Sequence, residues 1–183
     1  PEDGIRDCLL SRGLGDVYKR QLLKQMQIIK KSAIFSPCKA YRYSLTRAWN
    51  LSQKSVLFIG LNPSTADENH NDPTIRRCMY YAFKWGFGGL VMVNLFAYRA
   101  TLPTELKKSK FPLGKENNQF IINAQKEAGM VLVAWGNDGG LLNRDKEVLK
   151  IISNPMCLKI NKTGQPSHPL YQKNNATPKP YII

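Results

Sequence analysis

Val56-Leu57-Phe58-Ile59 is an apolar run with no polar interruption, and it stops on Gly60-Leu61-Asn62-Pro63-Ser64. A strand that is apolar on both faces must be covered on both faces, which is the situation of a central parallel strand in an α/β protein. Three further runs repeat the theme: LVMVNLFA at 90–97, MVLVAWG at 130–136 and MCLKI at 156–160. Helical patterns lie between them. Asp72-Pro73 combines an N-cap residue with proline at the first helical position, so a helix is expected from there to about Trp85. On it Ile75, Cys78, Met79, Ala82 and Phe83 share one face, and Gly86 follows as a stop. Helices are also expected over about 115–128 and 142–153. Strands alternating with helices predict βαβ units, hence an α/β fold in three layers around a central, mostly parallel four-stranded sheet.

Ahead of that sheet, residues 33–49 read as two short strands around Ser36-Pro37, an N-terminal antiparallel hairpin. Tyr41, Tyr43 and Leu45 alternate with Arg42, Ser44 and Thr46, the period of a half-buried strand. Residues 1–21 differ from the rest. They show no amphipathic period and resemble translated adapter sequence, so they are expected to be a non-native leader, with 22–183 forming one α/β domain.

Right-handed crossovers bring the carboxyl ends of parallel strands to one edge, where α/β proteins bind ligands. Four loops are expected there: GLNPS (60–64), NLFAYRAT (94–101), WGNDGG (135–140) and GQPSHPLY (164–171). Asn62, clamped by Pro63, either bonds its own backbone in a turn or presents its amide to a ligand or water. Gly60 precedes it, but the spacing is not that of a phosphate loop. Asn94 interrupts an apolar strand at its end, either as a satisfied core amide or as a donor–acceptor pair for a base edge. Trp135 is read as core ahead of a platform for a ligand, and Gly136 as a point of close backbone approach; both are substrate-binding candidates. His168 is either a capped surface histidine or a functional one, its backbone restricted by Pro169, which aims the imidazole. His70 sits in a polar loop, and no ligand spacing links it with His168 and Asp67 or Asp72, so neither a metal nor a cofactor is expected. Arg76 and Arg77 at the helix start, and Arg99 in the second loop, are phosphate candidates or plain surface charges.

The net charge is +14. Residues 1–21 hold four acids (Glu2, Asp3, Asp7, Asp16) and four bases (Arg6, Arg12, Lys19, Arg20), so the whole excess belongs to the remainder. Such a chain attracts polyanions, and nucleic acid is the expected partner, DNA ahead of RNA. No run is apolar and long enough for a membrane span. Four scattered cysteines without a C-x-x-C pair suit a reducing cytoplasm, and a monomer is expected.

In order, IFSPCKAYRYSLTRAW, GLNPSTAD, DPTIRRC, WGFGGLVMVNLFAYRAT, AWGN, RDKEVL and GQPSHPLY resemble the bacterial and phage family called domain of unknown function 1643, across residues 34–181. That family is similar in turn to the uracil-DNA glycosylases. Gly60, Asn62 and Pro63 match their first motif, Asn94 their base-reading asparagine, Trp135-Gly136 the close of their third strand and His168-Pro169 their last motif. The resemblance implies a glycosylase-like fold and hydrolysis of a base–sugar bond. Asn62 would position water, His168 would donate to the departing base, and Asn94 would read it. Where relatives that exclude thymine carry tyrosine, this chain has Ser64, which implies room for a 5-substituted or otherwise modified pyrimidine in place of plain uracil. The alternatives are a non-catalytic binding module on the same scaffold and an enzyme of free nucleosides or nucleotides.

Overall fold

The apolar runs become strands in a computed structural model of the chain, which describes residues 27–182. The elements are β1 (Lys30–Phe35), β2 (Arg42–Ala48), β3 (Ser55–Gly60), α1 (Pro73–Lys84), β4 (Gly89–Asn94), α2 (Pro103–Lys108), α3 (Asn117–Glu127) and β5 (Met130–Val133). A 3-10 segment (Asn137–Asn143), α4 (Arg144–Leu149), β6 (Met156–Cys157), a 3-10 turn (Pro169–Tyr171) and β7 (Lys179–Pro180) complete the fold. The proposed leader at 1–21 lies outside the described residues.

One mixed sheet holds all seven strands in the order β1-β2-β4-β3-β5-β6-β7. Pairings β4–β3, β3–β5 and β5–β6 are parallel, whereas β1–β2, β2–β4 and β6–β7 are antiparallel. The expected four-stranded sheet is therefore too small. The hairpin is not an appendage, because β2 pairs with β4 from Leu45↔Met92 to Ala48↔Gly89 and so widens the sheet. At the other edge Lys179 and Pro180 add β7, too short to leave a pattern in the sequence.

Alternation along β3 divides the core in two. Val56 and Phe58 pack with Leu45, Leu90 and Met92 under Ile75, Cys78 and Met79 of α1. Leu57 and Ile59 face the other way, toward Ile121 of α3 and Val148 of α4. Helices thus cover both faces, as an all-apolar central strand requires. Each fully buried side chain of this size contributes about 2 kcal/mol relative to exposure.

α1 begins as the sequence predicts. Asp72 caps it by accepting a hydrogen bond from Ile75 N at 2.8 Å, and Pro73 opens it. Phe83 departs from the expected apolar face: it is 37% exposed and tilts against Trp49 at the rim. The helix expected at 142–153 is shortened to α4 at both ends; at its start Leu142 and Asn143 adopt left-handed backbone and break the turn.

Candidate active site

β3, β4 and β5 run parallel, so Gly60, Asn94 and Val133 end them on the same edge. A cavity of about 440 Å³ opens there. Asn62, Asn94 and His168 all line it, together with Gly60, Ser64, Trp135 and Gly136.

Asn62 is fixed by its own loop. Its Nδ2 donates to Pro63 O at 3.0 Å and to Ala100 O at 2.7 Å, while Ala100 N donates to Pro63 O at 3.0 Å. Both amide hydrogens are engaged, which orients the group. Oδ1 is left as an acceptor that no donor among the described residues reaches. Asn62 therefore ties its own turn, as the first of its two readings expects, and Oδ1 stays free on the cavity wall for the second. Pro63 contributes its carbonyl to this brace and does not line the cavity.

Asn94 is only 3% exposed. Its Oδ1 lies against Gly60, where an added Cβ would come within 2.7 Å of it. Glycine at the end of β3 is what makes room for the amide on β4. From the far side Asn117 Nδ2 donates to Asn94 O at 3.0 Å and Leu95 O at 2.8 Å, pinning the strand end. Asn94 Nδ2 is fully buried and has no hydrogen-bond partner among the described residues. A buried donor without an acceptor is costly, by roughly 1–3 kcal/mol, and such a group in a cavity wall is suited to a ligand's acceptor.

His168 has extended backbone ahead of Pro169 and caps the 3-10 turn, its Nδ1 accepting from Leu170 N across 3.4 Å. Nε2 then carries the hydrogen. Burial lowers the imidazole pKa below the ordinary 6.5, and the negative charge of Asp72 opposes that shift in part. At neutral pH the ring is an uncharged donor. Gly136 is required by its φ of +75° and not by the close approach the sequence suggests, since an added Cβ would meet the His168 Cβ at an ordinary 3.7 Å. Tyr171 stands beside the ring, centroids 5.7 Å apart, and is 83% exposed at the cavity mouth.

Trp135 belongs to the core, as expected. It packs edge-on against Tyr181, and its Nε1 donates to Gln165 Oε1 at 2.6 Å. Gln165 Nε2 in turn donates to Asp145 Oδ2 at 2.6 Å, tying the β5 loop to α4.

Among the cavity residues that the sequence does not single out are Arg42, Asp138 and, as a wall residue, Asp72. Strict alternation from Leu45 would turn Tyr43 toward α1 and Arg42 away from it. The β1–β2 register instead steps from Ile34↔Ser44 to Phe35↔Arg42 and skips Tyr43. Tyr43 consequently stacks on Phe120 of α3, ring centroids 4.9 Å apart, and Arg42 reaches the loop ahead of α1. A bulge re-aims side chains in this way. Arg42 is 2% exposed, and its NH1 donates to Ala66 O at 2.7 Å. Burial lowers its pKa to about 10, with Asp72 opposing, so it stays charged at neutral pH. Arg47 holds the same loop through Asn71 Oδ1, at 2.8 Å, and the carbonyls of Asp67 and His70.

The three phosphate candidates lie outside the cavity wall. Arg76 is exposed and donates to Asn71 O at 2.6 Å. Arg77 lies over Tyr81, 4.8 Å from the ring centroid, and donates to Pro169 O, Gln172 O and Asn174 Oδ1, so it latches the His168 segment onto α1. Arg99 lies over Phe35 and lines an adjoining pocket with Lys39, Ser64 and Thr101. His70 is bonded to Asp67 and does not line the cavity.

A family model described as "Protein of unknown function (DUF1643)" matches residues 42–170. The chain belongs to the DUF1643 family. No curated protein and no solved structure matches it. The segment that makes this a DUF1643 protein begins at Arg42 and ends two residues after His168. It contains every cavity residue described above except Tyr171. Among the described residues of this DUF1643 protein, no helix is long and apolar enough to cross a membrane.

Proposed function

We propose that this DUF1643 protein is an N-glycosylase, with a uracil-DNA glycosylase-like fold, that hydrolyses the base–sugar bond of a 5-substituted pyrimidine in nucleic acid, DNA ahead of RNA. The observation that carries the reading is the shared cavity of Asn62, Asn94 and His168, which lie far apart in the chain. A flipped base enters by the mouth beside Tyr171. Asn62 Oδ1 accepts a hydrogen of a water and holds its oxygen toward C1′. The C1′–N bond breaks with its electron pair leaving on the base, and the water oxygen bonds to C1′ and gives up a proton, which ends on the departing base anion by way of solvent. Asn62 is an amide and takes no proton itself. The dissociative character of the step makes a positioned water sufficient.

The departing base gains negative charge on its oxygen. His168 Nε2–H is an uncharged, fixed donor for that oxygen, and Asn94 Nδ2 is a second donor with no protein acceptor to lose. Donors aimed at developing charge in a dry site are effective because they need not reorganise. Ser64 at the wall supports room beside the pyrimidine 5-position. Arg99 and Lys39, in the pocket that shares Ser64 with the cavity, suit an adjacent backbone phosphate. Oligonucleotides carrying uracil, thymine and 5-substituted pyrimidines, single- and double-stranded, test the reading by base release. Release confined to unsubstituted uracil would refute the substrate assignment, and no release from any would refute the reaction.

A non-catalytic base-recognition module is the second reading, favoured by the presence of an amide at position 62 where a carboxylate would be a stronger activator of water. Salt-dependent DNA binding without base release would establish it in place of the enzyme.

A further inference from the structure

We infer that the cavity binds a ligand carrying an oxyanion, a group with at least two acceptor oxygens and negative charge, and that Arg42 receives it. The inference rests on the base-binding reading for the pyrimidine part of the ligand, and on Arg42 itself for the charge.

Arg42 is almost completely removed from water, and Asp72 acts on it only through its charge, without a salt bridge. Its NH1 donates to Ala66 O, its Nε is buried without any acceptor, and it takes part in no ion pair among the described residues. The two acids in the same wall are otherwise engaged. Asp72 caps α1 through Ile75 N, and Asp138 pairs with Lys107 at 2.9 Å. A buried guanidinium with free donors is unfavourable unless a counter-charge arrives. Guanidinium presents a planar fork that matches the oxygens of a carboxylate or phosphate.

The second observation is independent of the first. Asn94, on a different strand, lines the same cavity, and its Nδ2 is another buried donor without an acceptor among the described residues. With His168 Nε2–H, the wall offers donors from three elements. The bulge at Tyr43 is what turns Arg42 inward. A neutral base edge would leave this cation with only the partial compensation of the Asp72 charge. An oxyanion satisfies it, either as a carboxylate on the pyrimidine 5-position beside Ser64 or as a phosphate on the sugar.

Four probes separate the sources: uracil, uracil-5-carboxylate, deoxyuridine and deoxyuridine monophosphate, titrated calorimetrically into the wild-type protein. A carboxylate source predicts that uracil-5-carboxylate binds at least tenfold tighter than uracil. A phosphate source predicts the same advantage for the monophosphate over deoxyuridine. In either case Arg42→Met should remove the advantage, and binding of the charged probe should shift the Arg42 Nε–H resonance of the wild-type protein, a readout that survives if Arg42→Met fails to fold. Equal affinity for charged and neutral probes, no binding of any probe, or an advantage retained in Arg42→Met would overturn the inference. A charge-dependent advantage in a protein that releases no base would leave the oxyanion site standing and remove the glycosylase. Base release indifferent to charge would do the reverse.

Discussion

Replacing Gly60 by alanine isolates the contact on which base reading depends. The substitution adds one methyl group whose carbon would lie 2.7 Å from Asn94 Oδ1, about 0.7 Å inside the 3.4 Å at which ordinary contact begins. Its next neighbour, Met92 Sδ at 3.6 Å, is not crowded. Gly60 is not in the left-handed region, so the alanine backbone itself is unstrained. Alanine even restricts the unfolded chain, worth about 0.4–1 kcal/mol in its favour. Overpacking of this kind costs about 1–3 kcal/mol. The expected net is a loss of about 1–2 kcal/mol, delivered almost wholly through one amide. Denaturant unfolding of wild type, Gly60→Ala, Asn94→Ala and the double variant forms a cycle. Once Asn94 is truncated the methyl has space, so the cost of Gly60→Ala should vanish in that background. Binding of a pyrimidine probe should weaken in Gly60→Ala to nearly the level of Asn94→Ala. Additive energies in the cycle, or a Gly60→Ala protein that binds and unfolds like wild type, would refute the idea that this glycine exists to seat Asn94.

Other consequences are as direct. Arg77→Met should lower stability by about 2 kcal/mol, since charge-assisted bonds to the His168 segment are lost, and leave the salt dependence of DNA binding unchanged; Arg99→Met should do the opposite, reducing the slope of log affinity against log salt by about one. His168 titrates below 6.5 because it is buried, so unfolded chains bind its proton more readily than folded ones. Its contribution to stability is therefore complete above pH 6.5 and declines as the pH falls from there through the folded pKa. Base release should decline on the same acidic limb, as protonation removes the Nδ1 acceptor used by Leu170 N. Asp72→Asn keeps an N-cap residue but removes the charge that raises the His168 pKa, so this limb should move to lower pH with little change in melting temperature. A limb that moves upward would contradict the assignment. Trp135→Phe should cost about 1 kcal/mol through the lost bond to Gln165, read by thermal unfolding.

What the sequence makes legible is what depends on neighbours along the chain. Val56–Ile59 must be covered on both sides, Asp72-Pro73 must open a helix, and parallel strands must share an edge. From these the convergence of Asn62, Asn94 and His168 follows without coordinates. What stays hidden depends on partners across the sheet. The alternation in 41–46 reads as a half-buried strand with Arg42 outward, and only the register against β1 reveals the bulge that turns it inward. Likewise Arg77 at a helix start resembles a phosphate ligand until Gln172 and Asn174, more than ninety residues on, are seen to accept its bonds. β7 has two residues and no pattern. Its strand character comes from pairing with β6 alone.

The most direct test of the account is base release by wild-type protein and by Asn62→Ala from the same labelled oligonucleotides bearing 5-substituted pyrimidines, with DNA binding measured in parallel. The account predicts abasic product from wild type and its near-complete loss in Asn62→Ala at unchanged DNA affinity. Release that persists without the Asn62 amide, or a wild-type protein that binds these strands and never cleaves them, would contradict it.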